Sequence, residues 1–326
     1  MKTHRNNSRV TDRDIDVLRG LFECRVLTLG QIALMQFAGR GEAAKKRIQT
    51  LKRAKLIAER PRARNYERSI LFLTKAGFSM LRSGGHVRDF PKIDWDTMEK
   101  RVRVSPLTLA HELSVNHIKA IMTAAMRNQP GLTLVEFLTW PRLFSFKANT
   151  DTGDAFGHET VIRPDGFVRI EQSLADEVST HLAYLEVDRS TETLDTLRMK
   201  VLGYMDHFRS GGMAARLGRP RAEYKSSPFR VLFVLNNDER RNNLAEALLT
   251  MHRPVLQLAW LTTLDAILAD PLGPIWLRPI DYRTATTATQ YEPRTRLRGE
   301  VYRRDPTREA FVANALELKH FLTAKH

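Results

Sequence analysis

Three strand-like runs in close succession limit what this chain can fold into. LTLVEFLTW (132–140), TVIRPDGFVRI (160–170) and HLAYLEVDR (181–189) are dense in β-branched and aromatic residues. A helical stretch at 191–209 follows, in which Leu194, Leu197, Val201, Tyr204 and Phe208 recur at helical spacing. Next come a strand, FRVLFVLN (229–236), a helix from about Asp238 to Met251, and a strand near LQLAWL (256–261). A long helix from Pro106 to about Arg127 precedes them all, with Leu109, Leu113 and Ala120 on one face. The order α-β-β-β-α-β-α-β predicts an α/β (α+β) domain around a mixed sheet.

The chain ahead of that domain reads differently. Residues 11–24 predict a helix, with Thr11 as cap, Asp14 at the third helical position, and Ile15, Leu18, Leu21 and Phe22 as its apolar stripe. A short helix starts at Thr28. After the Gly39–Gly41 turn a third helix buries Ala44, Ile48 and Leu51. Residues 56–73 read as two short strands around a basic turn, and Thr74 caps a further short helix. Three helices followed by a basic hairpin is the order of a winged helix-turn-helix. The predicted organisation is a winged helix at 11–82, a polar linker at 83–105, the α/β domain at 106–280, and a basic arm with a final helix (about 307–324) at 281–326.

Charge bears on partners. The 326 residues carry 52 Lys+Arg against 37 Asp+Glu, a formal charge of +15. That excess favours a polyanion, nucleic acid before a membrane surface. Cys24 is the only cysteine, so neither an internal disulfide nor a cysteine metal cluster forms, and a reducing cytoplasm fits. The polar start MKTHRNNSRV has no signal-peptide core, and no apolar run approaches membrane-spanning length.

In the third helix Lys46, Gln49, Thr50 and Arg53 fall at i, i+3, i+4 and i+7, opposite the apolar stripe. Gln and Arg read base edges bidentately, and Lys46 suits phosphate or guanine. Arg60, Arg62, Arg64 and Arg68 in the hairpin suit phosphate contacts. DNA binding is the expectation. Protein docking is the alternative for the same fold.

Asp165 and Glu186 lie about twenty residues apart on neighbouring strand runs, so their carboxylates can converge on one divalent cation. Glu186 and Asp188, at i and i+2, share a strand face. The bland alternatives are a Pro-Asp-Gly turn for Asp165, and pairing with Arg163, Arg169 or Arg189 for the other two acids. The arrangement resembles the PD-(D/E)xK nuclease superfamily, which implies a restriction-endonuclease-like αβββαβ core holding Mg²⁺ or Mn²⁺ and activating water. Position 188 is Asp where that pattern has Lys. Lys200 on the next helix is the candidate replacement, and Glu112 on the first long helix a candidate further acid.

A second resemblance covers about 11–240. The winged helix, LAHELSVN (109–116), RPDG (163–166) and LEVDRSTE (185–192), with Lys200 and Tyr204 beyond, look like the replication-relaxation family. Its proteins occur on plasmids and integrative elements. The resemblance implies a role in replication or mobilisation of such an element, with DNA and other replication or mobilisation proteins as partners. It does not by itself imply an enzyme.

Other motifs fail. HELSVNH (111–117) misses the HExxH spacing, because position 115 is Val. GRGEAAKK (39–46) lacks the Gly-Lys-Ser/Thr ending of a phosphate loop, so no nucleotide cofactor is expected. Helical spacing assigns Tyr204 to the core. The expected function is a DNA-binding protein of a mobile element, whose nuclease-like domain either cuts DNA with metal assistance or serves as a non-catalytic regulator or replication accessory factor.

Overall fold

Asp14 starts the first helix by accepting hydrogen bonds from the amide and hydroxyl of Thr11, at 2.6 and 2.8 Å. This helix, α1 (Asp12–Cys24), buries Val17, Leu18, Leu21 and Phe22. A short strand, β1 (Val26–Thr28), runs into α2 (Leu29–Gln36), which is capped by Thr28 accepting from the Gln31 amide at 3.2 Å. Then α3 (Gly41–Arg53) buries Ala44, Ile48 and Leu51. Strands β2 (Ile57–Glu59) and β3 (Ile70–Leu73) pair antiparallel, and β3 is the middle strand of a sheet ordered β1-β3-β2. Thr74 caps α4 (Lys75–Ser83).

The structure is a computed structural model describing residues 10–62, 64, 66–103, 105–150, 158–174, 177–252, 254–282 and 316–317. It divides into two units, Met1–Asn128 with Thr139–Arg142, and Gln129–Leu138 with Leu143–His326. Two features of the first unit depart from expectation. Residues 83–105, expected as a linker, contain a helix, α5 (Trp95–Val102), capped by the Asp94 carboxylate. Its buried residues are Met98 and Val102, too few for a periodic signal in a polar stretch. The long helix α6 (Pro106–Arg127), expected to open the second domain, belongs to the first unit. Its Asn116 Nδ2 donates to the carbonyls of Cys24 and Val26 at 3.0 and 2.9 Å, and its Leu113 carbonyl accepts from Gln31 at 2.9 Å. Periodicity reveals that a helix has a buried face, not which neighbour covers it.

The second unit is α/β around a five-stranded mixed sheet. Strand β4 (Leu132–Leu138) is followed by a hairpin of β5 (Phe146–Thr150) and β6 (His158–Ile162), which pair only with each other among the described residues. Then β7 (Gly166–Leu174) and β8 (Glu177–Asp188) form a second antiparallel pair. Helix α7 (Leu194–Arg209) and the short α8 (Gly212–Arg216) lead to β9 (Arg230–Leu235), which is parallel to β8. Helix α9 (Asp238–Leu249) returns the chain to β10 (Ala259–Thr263), parallel to β9. The sheet order is β10-β9-β8-β7-β4. Leu197, Val201 and Tyr204 of α7 and Leu244 and Leu248 of α9 pack with Val231, Phe233 and Leu235 of β9.

The run 160–170, read as one strand, is two. β6 ends at Ile162 and β7 begins at Gly166. Pro164 therefore sits at a junction between two sheets, where no ladder bond is lost. Beyond α10 (Leu264–Ala269), β11 (Pro274–Trp276) pairs with β12 (Leu316–Glu317), so two residues of the expected final helix are strand. The rest of that helix, and the expected arm from 283 on, lie outside the described residues.

Candidate functional site

Each unit carries one cluster worth weighing. In the first, the apolar stripe of α3 faces the core, so its opposite face is solvent. Lys46, Gln49 and Arg53 are exposed and Thr50 is half-buried, with its hydroxyl donating to the Lys46 carbonyl at 3.2 Å. The hairpin beside it divides its arginines. Arg60 donates to the Val102 carbonyl at 2.7 Å, which ties it to α5 rather than to solvent. Arg62 lies 3.1 Å from Glu59, a carboxylate that also takes Lys52 of α3 at 2.6 Å. Arg64 and Arg68 are exposed. Arg64 donates to the hydroxyl of Tyr66, itself 76% exposed, an aromatic at the hairpin tip that periodicity had no means of marking.

In the second unit, alternation along β8 puts Tyr184, Glu186 and Asp188 on one face. Helix α7 answers with Lys200, Tyr204 and His207, one helical row. Glu186, 1% exposed, has both oxygens engaged: Lys200 Nζ lies 2.9 Å from Oε2, and the Tyr204 hydroxyl donates to Oε1. The next step of the row is Tyr184 against His207, 3.0 Å apart. Lys200 also reaches Glu192 at 2.9 Å. Asp188 is held by Arg240 of α9, 2.7 Å from Oδ2, and Arg240 also donates to the Glu192 carbonyl. The two β8 acids thus pair with cations of α7 and α9, and Arg169, one of the arginines weighed as an alternative partner, meets Glu171 at 2.9 Å. Asp165 continues the β7–β8 register one step past Gly166↔Leu185, which sets it opposite Glu186. Its Oδ2 accepts from the Val187 amide at 2.8 Å, so it also ties down the end of β8.

Burial pushes the Glu186 carboxyl up to about 7, helped by the Asp165 charge and opposed by Lys200 and Tyr204. Burial works to lower Lys200, but Glu186, Asp165 and Glu192 outweigh it and raise the ammonium. Burial, then the Glu186 charge, hold Tyr204 well above the usual phenol range. Burial, then Arg221 and Arg216, bring His207 down to about 4.

Glu112 belongs to the first unit, where it pairs with Arg25 at 3.1 Å. As arranged, Glu186 would have to release Lys200 or Tyr204 to hold a divalent ion, Asp165 gives one oxygen to an amide, and Asp188 gives Oδ2 to Arg240 while its buried Oδ1 has no hydrogen-bond partner. Among the described residues, no three His, Cys, Asp or Glu side chains group as metal ligands.

The family model for replication-relaxation proteins matches residues 18–218, more than half of the chain. The chain belongs to the replication-relaxation family. The match runs from α1 past the end of α8, so it includes both clusters except Arg240. Membership in the replication-relaxation family suggests a role in replication or mobilisation of a plasmid or related element. No curated protein and no solved structure matches the chain. No helix among the described residues is long and apolar enough to cross a membrane.

Proposed function

We propose that this protein binds DNA during replication or mobilisation of its element, through a winged helix in the first unit. The reading rests on the exposed row Lys46, Gln49 and Arg53, set opposite the buried stripe of α3 and next to a hairpin that presents Arg64 and Arg68. A merely solvated helix would alternate charge signs. From Lys46 on, this row offers two cations and an amide, with the exposed Glu42 one turn before it. In the second unit Asp165 lies opposite Glu186, but Glu186 is closed off by Lys200 and Tyr204. That closure favours the accessory-factor reading over metal-assisted hydrolysis.

The test is fluorescence anisotropy on mixed-sequence duplexes together with plasmid nicking in Mg²⁺ and Mn²⁺. Wild type should bind without nicking. Gln49→Ala with Arg53→Ala should lower affinity about tenfold or more and flatten sequence preference. Unchanged affinity in that double variant removes α3 as the DNA contact. Nicking by wild type that disappears in Glu186→Gln restores the nuclease.

A further inference from the structure

The first unit has a second basic feature, a cleft of about 580 Å³ between α1, the end of α2 with the turn after it, and α6. Its walls carry Arg13, Arg19, Arg40, Lys119 and Arg127 against two carboxylates, Asp16 and Glu23. The pairs within this set decide its net character. Lys119 is neutralised by Glu23 at 2.9 Å, and Arg19 by Asp89 at 3.0 Å. Arg13, Arg40 and Arg127 have no carboxylate within ion-pair distance among the described residues, and all three are exposed. They are nonetheless held in place. Arg127 donates to the carbonyls of Leu34, at 3.1 Å, and Met35, at the end of α2. Arg40 donates to the Phe37 carbonyl at 3.2 Å, and Arg13 lies over the Phe37 ring at 5.4 Å.

Three guanidinium groups fixed by neutral partners outweigh the one remaining lining carboxylate, Asp16, and ordering them before binding lowers the entropy cost. The lining stretch of α1, Arg13 to Glu23, is roughly 15 Å long by helical rise. That spans about four nucleotides of one strand at ~3.4 Å each. The aromatic ring present, Phe37, is buried, so the cleft has no stacking platform for bases. Phosphate is the chemistry it fits. Arg40 is also the residue immediately before α3, which joins the cleft in the chain to the proposed reading helix.

We infer that this cleft takes the sugar-phosphate backbone of DNA flanking the segment that α3 meets. The inference rests on the DNA-binding reading and adds a second, sequence-independent contact to it. It predicts a footprint longer than the α3–hairpin contact, with the cleft serving only the added length.

Arg13→Gln with Arg40→Gln tests this in the full chain, since both side chains are exposed and circular dichroism checks the fold. Anisotropy titrations across salt concentration use a short duplex and one extended by a helical turn at each end. On the long duplex the double variant should bind more weakly, and the slope of log K against log salt should fall by about 2, near 0.9 per lost phosphate contact. On the short duplex it should match wild type. An unchanged slope on the long duplex, with wild type binding normally, overturns the cleft contact alone and leaves an acidic protein segment as the rival occupant. Failure of wild type to bind either duplex overturns the DNA-binding reading, and the cleft contact with it.

Discussion

Glu186 is held between an ammonium and a phenol, and its energetics follow from burial. With its carboxyl raised to about 7 from an ordinary 4.5, the folded chain binds more protons than the unfolded one between those values. Glu186 thus contributes stability that is present below about 4.5 and lost as pH rises through 7. Lys200→Met removes the main counter-charge, so the carboxyl rises further and its ionised form becomes harder to keep. The expected cost is about 3 kcal/mol at pH 8, typical of breaking a buried pair, and much less at pH 5, where the acid is protonated. Urea unfolding at the two pH values measures it, and equal costs at both would show that Lys200 acts through packing. Part of this site was legible in sequence. Lys200 was singled out on the helix after β8 as the candidate basic group, and it does meet Glu186. Tyr204 was assigned to the core, and its ring is fully buried, but spacing carries no information about where a hydroxyl points. Arg240 was out of reach, because its pairing with Asp188 closes a separation of 52 residues.

At the level of elements, caps and periodic stripes were the readable signals, and close packing was not. Thr11, Thr28 and Thr74 all start helices as their spacing predicted. The hairpin β5–β6 was missed because its first strand, Phe146–Thr150, is short and carries one large apolar residue, Phe146. Gly77 shows what neither propensity nor period can reveal. It lies inside α4, where replacing Gly by Ala normally gains up to about 1 kcal/mol. A Cβ there would sit 2.2 Å from the Leu56 carbonyl oxygen and 2.9 Å from Leu73 Cδ1. The carbonyl is backbone at the start of β2 and accepts from the Thr74 hydroxyl, so it cannot swing away. Overpacking costs roughly 1–3 kcal/mol and wins over the propensity gain. Gly77→Ala should lower the melting temperature of the first unit, and a neutral or raised melt would mean that α4 shifts freely away from β2.

At the level of the molecule, a helical front and an α/β back have different periodicities, and these are what the sequence reading rested on. The boundary between the two units was not legible, because the division does not follow the chain. The first unit runs to Asn128 and then claims Thr139–Arg142, four residues that follow β4 of the second unit. Trp140 packs against the first unit's core, and the Arg101 guanidinium lies over its ring. A chain cut at Asn128 would therefore leave the first unit without that ring. The same point can be tested without cutting. Trp140→Ala in the full chain removes a half-buried aromatic, for which about 2 kcal/mol is a reasonable fraction of the 3–5 kcal/mol lost on truncating a fully buried one. If the ring serves the first unit, hydrogen exchange should accelerate at amides of α1 and α4, while those of β8 and β9 stay protected. Faster exchange in β8 and β9 with α1 unchanged would assign Trp140 to the second unit and move the boundary back to Asn128.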